Sequence, residues 1–166
     1  TSFDAQATII NGVNDDSYNY YNKVISLGSF TTKALDTTLK VLHDAFGIMH
    51  GYMTTVHAYT NDQRLLDVDH IDVRRSRAAA LNIIPTSTGA TKVIDQVLPM
   101  LAGNIGGISI RVPVGKVSLI DLSCVMKKVP TTQEINEVLL KASQQQLKGI
   151  MQVSADALVS SDGSGN

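Results

Sequence analysis

The chain has almost no net charge: 14 Lys and Arg against 15 Asp and Glu leave −1 at pH 7. No global field therefore draws it to nucleic acid or to an anionic membrane. It has a single cysteine, Cys124, which excludes an intrachain disulfide and fits a reducing compartment. No apolar run approaches the ~18–20 residues of a membrane-spanning helix. The opening "TSFDAQATII" lacks the basic start of a secretory leader. Its four histidines fall in no HxH or HxxxH spacing, so a metal site is not expected. Neither GxGxxG nor GxxxxGK[ST] occurs, and the chain thus has no dinucleotide fold or P-loop of its own. Internal repeats are lacking too. These absences favour a cytoplasmic protein with no nucleic-acid and no membrane partner.

What is present suits one globular domain. The 166 residues, 43% hydrophobic and 17% charged, can bury a real core. "TIINGV" and "NKVISLGS" read as short strands, each closed by turn residues. From Thr31 the period changes: Leu35, Thr38, Leu39, Leu42, Ala45 and Phe46 mark one face of a helix. Ser29 fits its N-cap and Gly47 its stop. "GYMTTVHAYT" reads as a strand, and Asn61 to Arg77 as a long charged loop of the kind that more often carries function than not. "STGATKVIDQVLPML" restarts a helical period behind a Ser/Thr cap, with Val93, Ile94, Val97, Leu98 and Leu101 as its apolar stripe. "GGISIRV" and "KVSLIDLSCVMKK" are strands joined through Pro113 and Gly115, a hairpin-length link that favours antiparallel pairing. "TTQEINEVLLKASQQQLKG" is a helix with a capping box from Thr131 or Thr132 to Glu134. "GIMQVSADALVSSDGSGN" starts toward another strand and ends on flexible residues. The class is α+β, a mixed and mostly antiparallel sheet with helices on one face.

Several side chains invite chemistry. His57 ends an apolar strand and opens the long loop, a place for a general acid or base or for a histidine tied to the backbone. Thr31, Thr32, Thr60, Thr86, Ser87 and Thr88 cluster at element junctions, as caps or as phosphate cradles at helix starts. Arg74, Arg75 and Arg77 either close such a cradle or form a solvated face. Arg111 lies inside the apolar strand "GISIRVP", where a guanidinium needs a partner or a pocket. Cys124, mid-strand in "LIDLSCVM", reads as a small apolar residue rather than a nucleophile.

Taken in order, "INGVN", "KVLHDAFGIMHGYMTTVHAYTNDQRLLD", "VRRSRAAALNIIPTSTGATK", "ISIRVPVGKVSLIDLSC" and "LKGI…LVSSD" resemble the catalytic domain of glyceraldehyde-3-phosphate dehydrogenase, in its bacterial type. The resemblance implies NAD-dependent, phosphorylating aldehyde oxidation in glycolysis, through a cysteine thiolate and a histidine base. It puts His57 at the base. Thr60 and Arg111 fall where the substrate phosphate is held. Ser29, Thr31, Thr88 and Gly89 fall where inorganic phosphate is held, with Arg75 close to both. A phosphate or phosphorylated small molecule is the implied ligand. The implied partners are copies of the chain, as a homo-oligomer, or a missing domain.

One stretch departs from the family. Its Ser-Cys-Thr-Thr-Asn motif reads Ser29-Phe30-Thr31-Thr32-Lys33 here. Phe30 occupies the nucleophile position, and a phenyl ring has no lone pair with which to attack a carbonyl. The ring is expected to fill the emptied pocket. Lys33 reads as a solvated lysine or, if desolvated, as an amine able to form Schiff bases. The nucleotide-binding domain that precedes this region in the family is missing, as are the family's closing strand and long C-terminal helix beyond "SSDGSGN". Residues 1–166 are therefore expected to be a partial, C-terminally truncated catalytic-type domain, catalytically dead, binding no NAD by itself. The alternative is a non-catalytic phosphate-binding module or an oligomerisation or interaction module.

Overall fold

The computed structural model describes residues 4–164. The chain forms two compact units interleaved in sequence: Thr1–Gly51, Gly89–Gly106 and Cys124–Ala155 make the first, and Tyr52–Thr88, Gly107–Ser123 and Asp156–Asn166 the second.

The first unit is built on helices. Helix α1 (Phe30–Phe46) opens at Ser29, whose side chain accepts the Thr32 N–H at 3.1 Å. It closes at Gly47, held at φ +70°, whose N–H returns to the His43 carbonyl. Only glycine adopts that left-handed turn without strain. Leu35, Leu39, Leu42 and Phe46 are buried as the spacing predicts, but Ala45 is exposed and Asp36 and Thr37 are buried. Each fully buried leucine contributes about 2 kcal/mol. Helix α2 (Ala90–Val97) buries Val93, Ile94 and Val97, and a short 3-10 turn after it buries Leu101. Its N-cap is Gly89 with no side-chain bond, so the expected Ser/Thr cap is not made. Helix α3 (Thr132–Gln144) starts with a complete capping box between Thr131 and Glu134. Helix α1 packs against both α2 and α3, and Val41, Ala142 and Leu147 form a small buried cluster there.

Strands β1 (Ala7–Thr8) and β2 (Ile25–Ser26) pair in parallel and are shorter than their sequences suggest. After Thr8 the chain turns instead, because Asn14 ties the Thr8 carbonyl and the Ile10 N–H with its side-chain amide.

Strands β3 (Ile48–Ala58), β4 (Ile84–Thr86), β5 (Ile105–Val112) and β6 (Ser118–Met126) form one sheet in the order β4-β5-β3-β6. Strand β4 runs antiparallel to β5. β3 and β6 are antiparallel: the Ala58 N–H bonds the Val117 carbonyl at one end, and the Lys127 N–H bonds the Gly47 carbonyl at the other. β3 and β5 run in parallel, in a constant register. The Gly51 N–H meets the Asn104 carbonyl, a Cβ on Gly107 would touch Met53, and Thr55 bonds Ser109 at 3.0 Å. The next step along that face brings His57 to Arg111.

The expected hairpin is therefore corrected. β5 and β6 are not neighbours; they flank β3, and residues 113–117 cross the end of that strand. The crossing loop receives the N–H groups of Ala58 and Tyr59 on the carbonyls of Val117 and Val114. Val117 is the one non-glycine with positive φ among the described residues, at +74°, a conformation costing a β-branched residue roughly 1–3 kcal/mol. The strand expected from Gly149 onward is also corrected: residues 149–164 are turns and irregular chain, with Ile150 and Met151 held in turns on the Leu147 carbonyl. Residues 165 and 166 lie outside the described residues. No described helix is long and apolar enough to cross a membrane.

Candidate functional site

In the second unit the parallel register sets the key pair. His57, near the end of β3, and Arg111, near the end of β5, lie on the same face two steps beyond the buried Thr55–Ser109 pair, because side chains alternate along a strand. His57 Nδ1 is 2.7 Å from the Ala58 carbonyl oxygen. A contact that short to an acceptor has Nδ1–H donating, and in the neutral ring Nε2 then keeps its lone pair. Burial lowers the His57 pKa, the bond to Ala58 opposes that, and the Arg111 charge lowers it further.

Arg111 Nη1 donates to the Ala58 carbonyl and to Thr60 Oγ1, each at 3.2 Å. Its Nε is buried without a hydrogen-bond partner. Burial lowers the Arg111 pKa, the Arg75 guanidinium adds to the effect, and Asp62 opposes it. Arg111 thus keeps an unpartnered Nε within the electrostatic influence of Arg75.

Arg75 is held in place by acids that the sequence did not single out. Its Nε donates to Thr86 Oγ1 at 2.9 Å and lies 3.5 Å from Asp72. Its Nη1 pairs with Asp62 and its Nη2 reaches the Ser87 carbonyl. The Thr86 hydroxyl in turn donates to Asp72 at 2.8 Å. That bond is the largest influence holding the Asp72 carboxyl below the usual range, with the Arg74 and Arg75 N–H groups and the Arg75 charge acting in the same direction. The signal was the alternation of acids and arginines in "NDQR" and "DVDHIDVRRSR". Of the four loop arginines, only Arg75 turns inward; Arg64, Arg74 and Arg77 are exposed, and Arg77 pairs with the equally exposed Asp67. The loop braces itself through Ala79 N–H to Arg64 carbonyl and Ala78 N–H to Asp67. Thr88 ends this unit's first segment, half-buried.

Ser29, Phe30, Thr31 and Gly89 belong to the first unit. Ser29 caps α1 and its hydroxyl lies 2.7 Å from that of Thr32; Thr31 is buried. Gly89 caps α2. Phe30 is the first residue of α1 and is 89% exposed, so the expectation that its ring fills a pocket is corrected. The ring instead lies under the Lys33 ammonium, 5.8 Å from its centroid, a surface cation–π contact. Lys33 is thereby a part-exposed lysine and not a desolvated amine. No cluster of three or more His, Cys, Asp or Glu able to hold a metal occurs among the described residues.

Residues 29–166 match the family model of the glyceraldehyde 3-phosphate dehydrogenase C-terminal domain. The chain is 55% identical over 161 residues to a glyceraldehyde-3-phosphate dehydrogenase of Borreliella burgdorferi, covering 96% of the chain and 48% of the relative. It is 51% identical over 164 residues to that of Priestia megaterium (98% and 49%) and 52% identical over 160 residues to glyceraldehyde-3-phosphate dehydrogenase 1 of Bacillus subtilis (96% and 48%). The chain spans about half the length of these curated relatives. A family match over most of the chain, with relatives near 50% identity, places the chain in the glyceraldehyde-3-phosphate dehydrogenase family, within its C-terminal domain.

Proposed function

We propose that this chain is a catalytic-domain scaffold of phosphorylating glyceraldehyde-3-phosphate dehydrogenase that keeps an anion pocket and has lost its covalent chemistry. The observation that carries the reading is Arg111: a guanidinium with a buried, unpartnered Nε and a second guanidinium nearby. The Arg75 charge acts on Arg111 and Asp62 offsets part of it; a phosphate or sulfate seated against the Arg111 guanidinium relieves the repulsion that remains. Thr60 supplies a hydroxyl beside Arg111, and Arg75 supplies charge from its acid-braced position. The neutral His57 ring, with Nε2 free to accept, keeps the form of a general base.

What the base would serve is absent. Phe30 stands where the family motif has its cysteine, so no thiolate adds to the aldehyde carbon and no acyl-enzyme forms. Cys124 does not substitute, since burial raises its thiol pKa and it sits mid-strand in β6. The sequence has no GxGxxG turn to seat a pyrophosphate, so the residues present do not fit NAD and no step runs through it. Calorimetry with phosphate, sulfate and glyceraldehyde 3-phosphate tests the pocket: binding at millimolar or tighter affinity supports it, and no heat up to millimolar concentration refutes it. A spectrophotometric assay with NAD and arsenate is expected to stay at background.

A second reading rests on the loop of the second unit. Leu65, Leu66, Ile71, Val73, Leu81 and Ile83 are all exposed there, more apolar surface than a solitary loop usually presents. This favours assembly with copies of the chain or with another domain, and sedimentation separates a monomer from an assembled form. The reducing compartment suggested by the lone thiol fits a cytoplasmic setting.

A further inference from the structure

Asp36 lies in the middle of α1 with 0% of its surface exposed. Neither carboxylate oxygen has a hydrogen-bond partner. The nearby hydroxyls are committed elsewhere: Thr32 to Ser29, and Thr37 to the Lys33 and Ala34 carbonyls.

No charge on the packed elements compensates it. On α1, Lys33 covers Phe30 and Lys40 pairs with Asp44. His43, seven residues on and so on the same side of the helix, has its own Nδ1 buried without a partner. On α2, Lys92 and Asp95 are exposed; on α3, Glu137 and Lys141 are exposed, and Glu134 is engaged by Thr131 and Lys128.

We propose that Asp36 makes the seating of α1 sensitive to pH: protonated, it lets the helix stay packed on α2 and α3, and loss of its proton to solvent loosens that packing. A carboxylate buried without donors or a counter-charge is one of the costliest arrangements in a protein interior. The packed helix therefore holds the neutral acid. Ionisation favours any movement that admits water, and a solvated Asp36 then has Lys33 at i−3 and Lys40 at i+4 within ion-pair reach. Burial alone accounts for the shift of this carboxyl, from 3.8 to about 7.

The sign comes from proton linkage. Between 3.8 and about 7 the folded chain holds a proton that the unfolded chain has released, so stability is fullest at low pH and is lost as pH rises. Asp36 by itself is expected to raise the unfolding constant about tenfold per pH unit, roughly a thousandfold across the window. Urea unfolding of the 166-residue chain, followed by circular dichroism from pH 4.5 to 8, reads this directly. Asp36→Asn and Asp36→Ala are expected to remove that slope; an unchanged slope in both overturns the proposal. Carboxyl carbon-13 NMR of the unsubstituted chain gives a readout that needs neither variant to fold. A carboxyl titrating near 7 that is assigned to Asp36 supports the proposal, and an Asp36 midpoint near 4 overturns it.

Discussion

Arg111 and His57, on neighbouring parallel strands, converge on one acceptor, the carbonyl oxygen of Ala58, with Nη1 of the first 3.3 Å from Nδ1 of the second. The shared acceptor fixes the ring's tautomer and its neighbour's reach at once. Each therefore depends on the other.

Replacing Arg111→Gln removes a charge and keeps a donor. Phosphate or sulfate affinity is expected to fall at least tenfold, in line with the loss of a charge-assisted bond worth about 1.5–3 kcal/mol. The His57 pKa should rise in the same variant, because one of the influences lowering it is gone. Calorimetry reads the first effect and proton NMR of the imidazole the second.

The lowered His57 pKa also has a stability sign. Below 6.5 the unfolded chain takes up a proton on this ring that the folded chain resists. His57 therefore contributes stability that is present above 6.5 and lost as pH falls. His57→Gln should remove that acid-side loss. Its slope is opposite to that of Asp36, so Asp36→Asn unmasks it. Unfolding curves of the two variants from pH 5 to 7.5 distinguish them by sign.

Gly107, on β5, lies directly against Met53 of β3. A Cβ there would come within 2.7 Å of both Met53 Cγ and the Met53 carbonyl oxygen. The methionine side chain can yield and the backbone cannot. Gly107→Ala is expected to destabilise by about 1–3 kcal/mol, read as a lower urea midpoint. An unchanged midpoint would mean that the strands separate more easily than the parallel register implies.

Much of this arrangement is legible in the sequence, and the failures have physical causes. Helix α1 announced itself through Ser29, the three-and-four spacing and Gly47, all local signals. Arg111 stood out because a guanidinium in an apolar strand demands company. The order of strands did not show, because a five-residue link such as 113–117 reads as a hairpin whether or not a third strand lies beneath it. Asp62 was hidden by distance in sequence, 13 residues from its partner Arg75; Asp72 is only three away, but its bond from Thr86, 14 residues on, exists only in the folded loop. Asp36 was invisible for another reason. Pattern reading assigns aspartate to a polar face, and here tertiary packing overrides it.

Phe30→Cys places a thiol at an exposed first position of α1, where the helix N-terminus favours the thiolate. Cys124 is half-buried with its pKa raised. A coloured disulfide reagent is expected to modify the introduced thiol well before Cys124 in the folded chain, and both at similar rates in urea. Equal rates in the folded chain would contradict the environments assigned to the two positions.

Intact-mass spectrometry of the unsubstituted chain after exposure to a triose acyl phosphate tests most directly whether a phenyl ring has replaced the reaction's nucleophile. The predicted result is an unchanged mass, with the anion held reversibly beside Arg111. One acyl group bound stoichiometrically to the folded chain would contradict it.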